Sequence, residues 1–194
     1  TVDATLPHLP DVVADMVRLQ RLTGCRPQDV CSIRPRDVDT SGEVWIYRPE
    51  SHKTEHHGRE RTIFVGPKAQ EILRPYLLRP VEDYCFKPAD SERKRRAAQH
   101  MDRKTPLSCG NRPGTNRRSR PKRKAGACYT KDSYRRAVER AAKLADRNAR
   151  NDKRDVPAEQ RVVPHWSPNQ LRHNRATTVR REFGLEAAQI VLGH

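Results

Sequence analysis

One long window of the chain cannot form a packed core of its own. Residues 93–124 hold thirteen Lys or Arg and a single acid, Asp102. They also contain Gly110, Gly114 and three prolines, which interrupt helices and strands. A segment this charged buries too little apolar surface to offset the entropy lost on ordering. We therefore predict a short helix near residues 91–100 within a basic, mobile insertion spanning residues 93–128.

The rest of the chain is basic as well. Forty Lys and Arg against twenty-four Asp and Glu give a formal net charge of +16 over 194 residues. A clustered surplus of this size is typical of proteins that bind a polyanion, usually nucleic acid, although a merely basic protein is the alternative. We interpret the insertion as contacting a phosphate backbone, against the alternative of a solvated loop. The candidate contacts are Arg93, Lys94, Arg95, Arg96, Arg117, Arg118, Lys122, Arg123 and Lys124.

Several other classes of protein lack support in the sequence. No apolar run approaches the roughly 20 residues that a membrane-spanning helix needs. The opening residues, TVDATLPHLP, have neither the basic start nor the apolar centre of a secretion signal. The five cysteines form no C-x-x-C pair, which predicts reduced thiols in a cytosolic setting and no metal site. His52, His56 and His57 are more typical of a solvated turn than of a metal site.

Hydrophobic periodicity predicts a fold that is mainly α with a small antiparallel β-sheet (α+β). Apolar residues at helical spacing predict helices over residues 9–22, 67–76, 130–147 and 168–183, with short helices near 26–33 and 185–192. The β-rich segments 43–47 and 61–65 predict a hairpin with a long exposed tip. The face expected to point inward on the third long helix is formed by Tyr134, Ala137, Val138, Ala141 and Leu144.

Short motifs at three places in the chain resemble a known family when they are taken together. They are TGCRP at residues 23–27, the lone lysine Lys53 of the predicted hairpin tip, and LRHNRAT at 171–177 with LGH at 192–194. Their order and spacing resemble the catalytic domain of tyrosine recombinases, the phage-integrase family. That family carries an arginine after TG-x, a lysine on a β-hairpin, a second arginine in LRH-x-x-AT and a histidine in LGH. The resemblance covers residues 9–194.

The resemblance implies a set of catalytic residues for attack on a DNA phosphodiester. Such attack builds negative charge on the non-bridging oxygens, and fixed donors lower the barrier. Arg26 and Arg172 would hold these oxygens, because a guanidinium donates two parallel hydrogen bonds and stays charged. Lys53 would be the general acid for the leaving 5′ oxygen, unless it is an exposed lysine without a role. His194 would donate a further hydrogen bond or orient the nucleophile, and His173 would support the site from the interior.

The periodicity around Arg172 points to the same residue independently. On an ideal helix it shares a face with Ala176, Val179 and Phe183, all apolar. An arginine on such a face needs an anionic partner, because an unpaired buried charge is costly. That partner is either a bound phosphate or a carboxylate of the protein itself.

The sequence departs from the family pattern at two points. The family usually has a histidine three residues before the second arginine, and this chain has Asn169, which donates a hydrogen bond but cannot carry a proton near neutral pH. His165, in the preceding loop, is a candidate substitute. The nucleophilic tyrosine is expected shortly after LGH, so residues 1–194 would be a catalytic domain without that tyrosine segment and without the N-terminal core-binding domain.

The resemblance also implies the activity and partners of the whole protein. It would cleave double-stranded DNA through a 3′-phosphotyrosine intermediate without cofactor or metal, as a homo-tetramer on DNA. The present chain would be monomeric, cytoplasmic and nucleoid-associated, with no membrane contact. The alternatives are a non-catalytic DNA-binding protein on the same scaffold, a basic RNA-binding protein, or a type IB topoisomerase.

Overall fold

A computed structural model describes residues 1–50, 61–106, 108–109 and 126–192 of the chain. Within these ranges the fold is mainly helical with one small sheet, which confirms the predicted class. The helices are α1 (Val2–Thr5), α2 (Asp11–Thr23), α3 (Pro27–Ser32), α4 (Pro67–Leu77), α5 (Pro88–Met101), α6 (Lys131–Arg150) and α7 (Pro168–Leu192). The strands are β1 (Val38–Asp39), β2 (Trp45–Tyr47) and β3 (Ile63–Val65).

Helix α2 is the central element of the core. Its apolar residues recur at helical spacing, and Val13, Met16 and Val17 are completely buried. The helix packs against α4 and α7, as well as α3 and α5. It ends at Gly24, which adopts a left-handed conformation with φ 68° and donates its N–H to the Gln20 carbonyl. The chain then turns directly into α3, so the glycine fixes where the residues of the TGCRP motif lie.

Replacing Gly24 with alanine is expected to lower the free energy of unfolding by about 2–3 kcal/mol. Its positive φ disfavours any Cβ, and an added Cβ would lie 2.9 Å from Cγ of Arg175 and 3.2 Å from Cδ2 of Leu192. Urea denaturation would measure the loss. Gly184→Ala is the matched comparison, because Gly184 also has a positive φ but no described atom within 4 Å of the added Cβ. Equal losses in the two variants would show that the contacts around Gly24 are unimportant.

The sheet is antiparallel with the order β1-β2-β3. Trp45 pairs with Val65 and Tyr47 with Ile63, and these four side chains form its buried face. The predicted hairpin strands are therefore confirmed. Val44 lies outside β2 and is 44% exposed. The two-residue strand β1 was not predicted, because it is too short to show an alternating pattern.

Helix α6 begins at a cap and buries most of its expected face. The Thr130 hydroxyl accepts a hydrogen bond from the N–H of Ser133 at 3.1 Å. Tyr134 is completely buried and its hydroxyl donates to Gln20 of α2 at 2.9 Å. Leu144 was expected to point inward, but it is 44% exposed, and Ala142 and Ala145 are buried instead. The buried stripe thus runs through Tyr134, Val138, Ala141 and Ala145, at steps of four, three and four, and Leu144 lies beside it.

Helix α7 consists of two helical parts joined at Gly184, whose φ of 87° and ψ of 178° break the helix. This confirms the predicted end at Gly184. At the N-terminus the side chain of Gln170 accepts a hydrogen bond from the N–H of Ser167 at 2.7 Å, as the capping signal predicts. Val179 is buried, but Phe183 is 68% exposed, so its expected place on the inner face was wrong. Phe183 lies in the last turn before the break.

Candidate functional site

A cleft of about 720 Å³ lies where three helices begin. It is lined by the first turns of α3, α6 and α7. Helix N-termini expose unpaired N–H groups and carry partial positive charge, so they favour anions. The lining residues are Arg26, Pro27, Gln28, Lys131, Asp132, Arg135, Ser167, Pro168, Asn169, Arg172 and His173. Four of the predicted site residues therefore meet in one place, because Arg26 of one segment lies beside Asn169, Arg172 and His173 of a segment far along the chain.

Arg26 enters the cleft from the start of α3. Its backbone N–H donates to the Asp29 carboxylate at 2.9 Å, which fixes the first turn of the helix. Burial, and then the charge of Arg61, lower the pKa of the Arg26 guanidinium. Its Nη1 is buried and has no hydrogen-bond partner among the described residues. An unsatisfied buried donor is costly, and a bound anion in the cleft would satisfy it.

Arg172 is held in the cleft by the backbone. Its Nη1 donates to the carbonyl of Gly24 at 2.9 Å and its Nη2 to the carbonyl of Leu192 at 2.8 Å. Only 7% of the residue is exposed. Burial first, and then the charges of Arg61 and Arg26, lower its pKa to about 10, so the guanidinium stays charged at neutral pH. Arg172 thus ties the end of α2 and the end of α7 to the site.

Arg61 belongs to the same cluster and was missed in the sequence. Its Nε and Nη2 each donate to Oδ2 of Asp29 at 2.9 Å, and both side chains are almost fully buried. Its Nη1 lies 3.5 Å from the Leu192 carbonyl, which Arg172 also contacts. Alternation offered a signal, because Arg61 has the same phase as the buried Ile63 and Val65. The charges of Arg61 and Asp29 both act on the guanidinium groups of Arg26 and Arg172, so three cations share one carboxylate and positive charge is in surplus.

Asn169 and His173 lie one turn apart on the exposed side of α7. The amide Nδ2 of Asn169 is 3.1 Å from Nε2 of His173, and both residues are exposed. His173 was expected to support the site from the interior, and this placement was wrong. Residues four apart share a helix face, so His173 follows Asn169 into the cleft.

His165 does not line the cleft. Burial, and then the charges of Arg161 and Lys143, lower its pKa, so its neighbours lie toward the middle of α6. Residues from the first turns of α6 line the cleft instead. His165 is therefore not placed to substitute for the histidine that the family carries at the position of Asn169.

The α5 residues that were predicted to contact the phosphate backbone of a nucleic acid form ion pairs with carboxylates of the protein. Arg93 contacts Asp90, Lys94 contacts Asp11, and both Arg95 and Arg96 contact Glu92, at 2.6–2.9 Å. Lys94 meets the beginning of α2, whereas the cleft lies beyond its other end, roughly 18 Å away along 13 residues. Exposed ion pairs are weak, so these side chains can still bind a phosphate backbone. Their contact with nucleic acid stays a prediction, on a surface separate from the cleft.

The remaining predicted site residues lie outside the described residues. They are Lys53, Arg117, Arg118, Lys122, Arg123, Lys124 and His194. Residues 51–60 of the expected hairpin tip, and residues 107 and 110–125 of the expected insertion, lie there too. In the described parts of the chain no group of three metal-ligating side chains comes together. No helix in those parts has the length and apolarity to cross a membrane.

The five tyrosines of the chain are all described, and none lines the cleft. Tyr47 donates its hydroxyl to the Asp29 carbonyl at 2.9 Å, and burial raises its pKa well above the usual range. Tyr76 and Tyr84 bond to Asp15 and Arg34, and Tyr129 to Ser91. These hydroxyls form hydrogen bonds within the protein. None of the tyrosines is placed to attack an anion in the cleft.

The chain belongs to the phage integrase family, because the sequence model of that family matches residues 10–194. Its fold is similar to the XerH site-specific recombinase, solved bound to its difH substrate in a pre-cleavage complex. That likeness has a TM-score of 0.52 at 14% identity and covers 100% of this chain. The chain spans 45% of the length of the XerH chain. No match was found among curated protein sequences.

Proposed function

We propose that the cleft binds a phosphodiester group of double-stranded DNA, and that the whole protein cleaves and rejoins DNA strands at specific sites. One observation carries this proposal. Arg26 and Arg172 line a cleft where helix N-termini meet, and together with Arg61 they share the single carboxylate of Asp29. A surplus of buried guanidinium groups is stabilised by an anion, and the net charge of +16 favours a polyanionic one.

The two cleft arginines suit different parts of this task. Arg172 is pre-oriented by its bonds to two carbonyls, so little freedom is lost when it binds an oxygen. The buried Nη1 of Arg26 has no hydrogen-bond acceptor among the described residues, so it can donate to a phosphate oxygen. Together they would hold the non-bridging oxygens, and their charge would stabilise the transition state more than the ground state.

The cleavage step is proposed for the whole protein. A tyrosine hydroxyl attacks the phosphorus, a 3′-phosphotyrosine bond forms, and the bond to the 5′ oxygen breaks. The five tyrosines of the chain do not line the cleft, so the nucleophile would come from a segment beyond these 194 residues. Lys53 would protonate the leaving 5′ oxygen, and His194 would donate to the phosphate. The family resemblance implies no cofactor, a homo-tetramer on DNA and a cytoplasmic, nucleoid-associated location.

A non-catalytic DNA-binding protein on this scaffold is the second candidate, and Asn169 is the observation that favours it. The whole protein would be incubated with a nicked duplex that traps covalent intermediates. Recombinase function predicts a protein–DNA adduct that disappears in a variant carrying both Arg26→Gln and Arg172→Gln. Retention of tight DNA binding without any adduct would support the second candidate, and an adduct that survives both substitutions would contradict the proposed roles.

Arg26→Gln is expected to weaken binding of duplex DNA by the chain about 10- to 100-fold. The loss of one charge-assisted hydrogen bond costs about 1.5–3 kcal/mol. Fluorescence anisotropy with a labelled duplex at several salt concentrations would measure the affinity. Arg18→Gln is the matched control, because Arg18 is an exposed arginine on α2 that pairs with Asp15. An equal loss in both variants would mean that only overall charge matters.

The α5 cations are proposed to make a smaller, purely electrostatic contribution. Neutralising Arg93, Lys94, Arg95 and Arg96 together is expected to reduce the slope of log affinity against log salt, by about 0.9 for each phosphate that these side chains neutralise in the unmodified chain. The same salt titration measures this slope. An unchanged slope would show that these side chains remain paired with their carboxylates and do not bind DNA.

A further inference from the structure

We infer that His173, positioned by Asn169, contacts the bound phosphodiester and makes DNA binding by the cleft depend on pH. This inference rests on the proposed function. It assigns a phosphate-contacting role to a residue that the family pattern places in the interior. It also gives Asn169 a role of its own, as the residue that orients the ring.

The location of the pair supports the inference. Asn169, Arg172 and His173 stand on one face of α7, at steps of three and four, and all three line the cleft. Arg26 lines the same cleft from α3. His173 is the one imidazole lining this cleft in the described part of the chain, and it is exposed to an incoming ligand. A phosphate that reaches Arg172 therefore enters the space beside His173.

The hydrogen bond between the two side chains sets the chemistry. When the Asn169 amide donates to Nε2, a neutral ring carries its proton on Nδ1, which then is a donor for a phosphate oxygen. When the ring is protonated, a turn of the amide lets its oxygen accept from Nε2–H. Asparagine can therefore hold the ring in either protonation state, and neither state leaves the amide without a partner.

The surrounding charges set the direction of the pH effect. Arg26, Arg172, Lys131 and Arg135 line the cleft, and Asp132 is the one carboxylate among its described residues. A bound phosphodiester brings negative charge and favours the imidazolium. DNA binding should therefore take up a proton, and affinity should rise as pH falls from 8 to 6.

The test measures the affinity of the chain for a labelled duplex at pH 6, 7 and 8 and constant ionic strength. The unmodified chain should bind about three- to tenfold more tightly at pH 6 than at pH 8. His173→Gln should keep a neutral donor but lose this dependence. His8→Gln is the matched control, since His8 lies away from the cleft, and it should retain the full dependence.

The Asn169→Ala variant distinguishes orientation of the His173 ring by Asn169 from the general effect of charge on DNA binding. It should keep a pH dependence but bind more weakly at every pH, whereas the neighbouring exposed Asn174→Ala should bind normally. Histidine NMR resonances of the chain, titrated with and without duplex, should show His173 taking up a proton on binding. A pH dependence that is unchanged in His173→Gln, or a His173 resonance that does not respond to DNA, would overturn the inference. Arg26→Gln tests the proposed function separately, because it should weaken binding at all three pH values.

Discussion

Arg172→Ala is expected to lower the free energy of unfolding by about 2–4 kcal/mol and to remove measurable phosphodiester binding at the cleft. The substitution leaves the buried carbonyl of Gly24 without its donor, and it leaves the Leu192 carbonyl with only the longer contact to Nη1 of Arg61. A buried acceptor that loses its donor costs about 1–3 kcal/mol. Removal of a cation from beside Arg26 and Arg61 offsets part of this cost. Urea denaturation and DNA anisotropy, performed below the unfolding transition, would measure the two effects.

Two further variants separate fold from binding at Arg172. Arg180→Ala, an exposed arginine on the same helix, should change the free energy of unfolding by less than about 0.5 kcal/mol. Arg172→Lys keeps the charge but lacks the planar fork that reaches both carbonyls. It should bind DNA weakly even where it is fully folded. Normal DNA affinity in Arg172→Lys would contradict a geometric role for the guanidinium.

Asp29→Asn is expected to destabilise the fold by about 3–5 kcal/mol, because it leaves Arg61 buried without its anionic partner. Thermal unfolding measures the loss. Glu92→Gln is the matched control: it removes two exposed ion pairs and should cost less than about 0.5 kcal/mol. Phosphate should stabilise Asp29→Asn more than the unmodified chain, since the substitution enlarges the surplus of positive charge beside the cleft.

The charge balance around Asp29 can also be tested by replacing the whole ion pair. A chain carrying both Asp29→Asn and Arg61→Met should recover part of the lost stability, because the buried guanidinium and its carboxylate are removed together. No recovery in the double variant, or no added effect of phosphate on the single one, would show that the cluster is not held together by charge balance.

Much of the fold followed from local rules in the sequence. Gly24 and Gly184 ended helices where a left-handed or broken backbone was required, and the Ser167 to Gln170 signal began α7. Side-chain directions near helix ends followed less well. Leu144 and Phe183 fit the apolar pattern, yet the elements packed against α6 and α7 leave them exposed. Which residues a helix buries depends on the elements packed against it, and the periodicity of one helix does not reveal those elements.

Some residues of the candidate site could likewise be predicted from the sequence, and others could not. Arg26 and Arg172 could be paired in advance only through the resemblance of their motifs to those of the tyrosine recombinases, because the two residues lie far apart in the sequence. Arg61 could not be paired with Asp29 from sequence, since the ion pair joins residues 32 positions apart. His173 was misplaced because the motif suggested an interior role, whereas its exposure depends on the packing of α7. Contacts that arise from tertiary packing are therefore only weakly predictable from local sequence patterns.

A structure of the chain bound to a short duplex would show whether Arg26 and Arg172 hold a phosphodiester in the cleft. We expect one phosphate in the cleft, with the guanidinium groups of both Arg26 and Arg172 within hydrogen-bond distance of its non-bridging oxygens. Duplex bound on another face, with the cleft open to solvent and Nη1 of Arg26 still without an acceptor, would contradict this expectation.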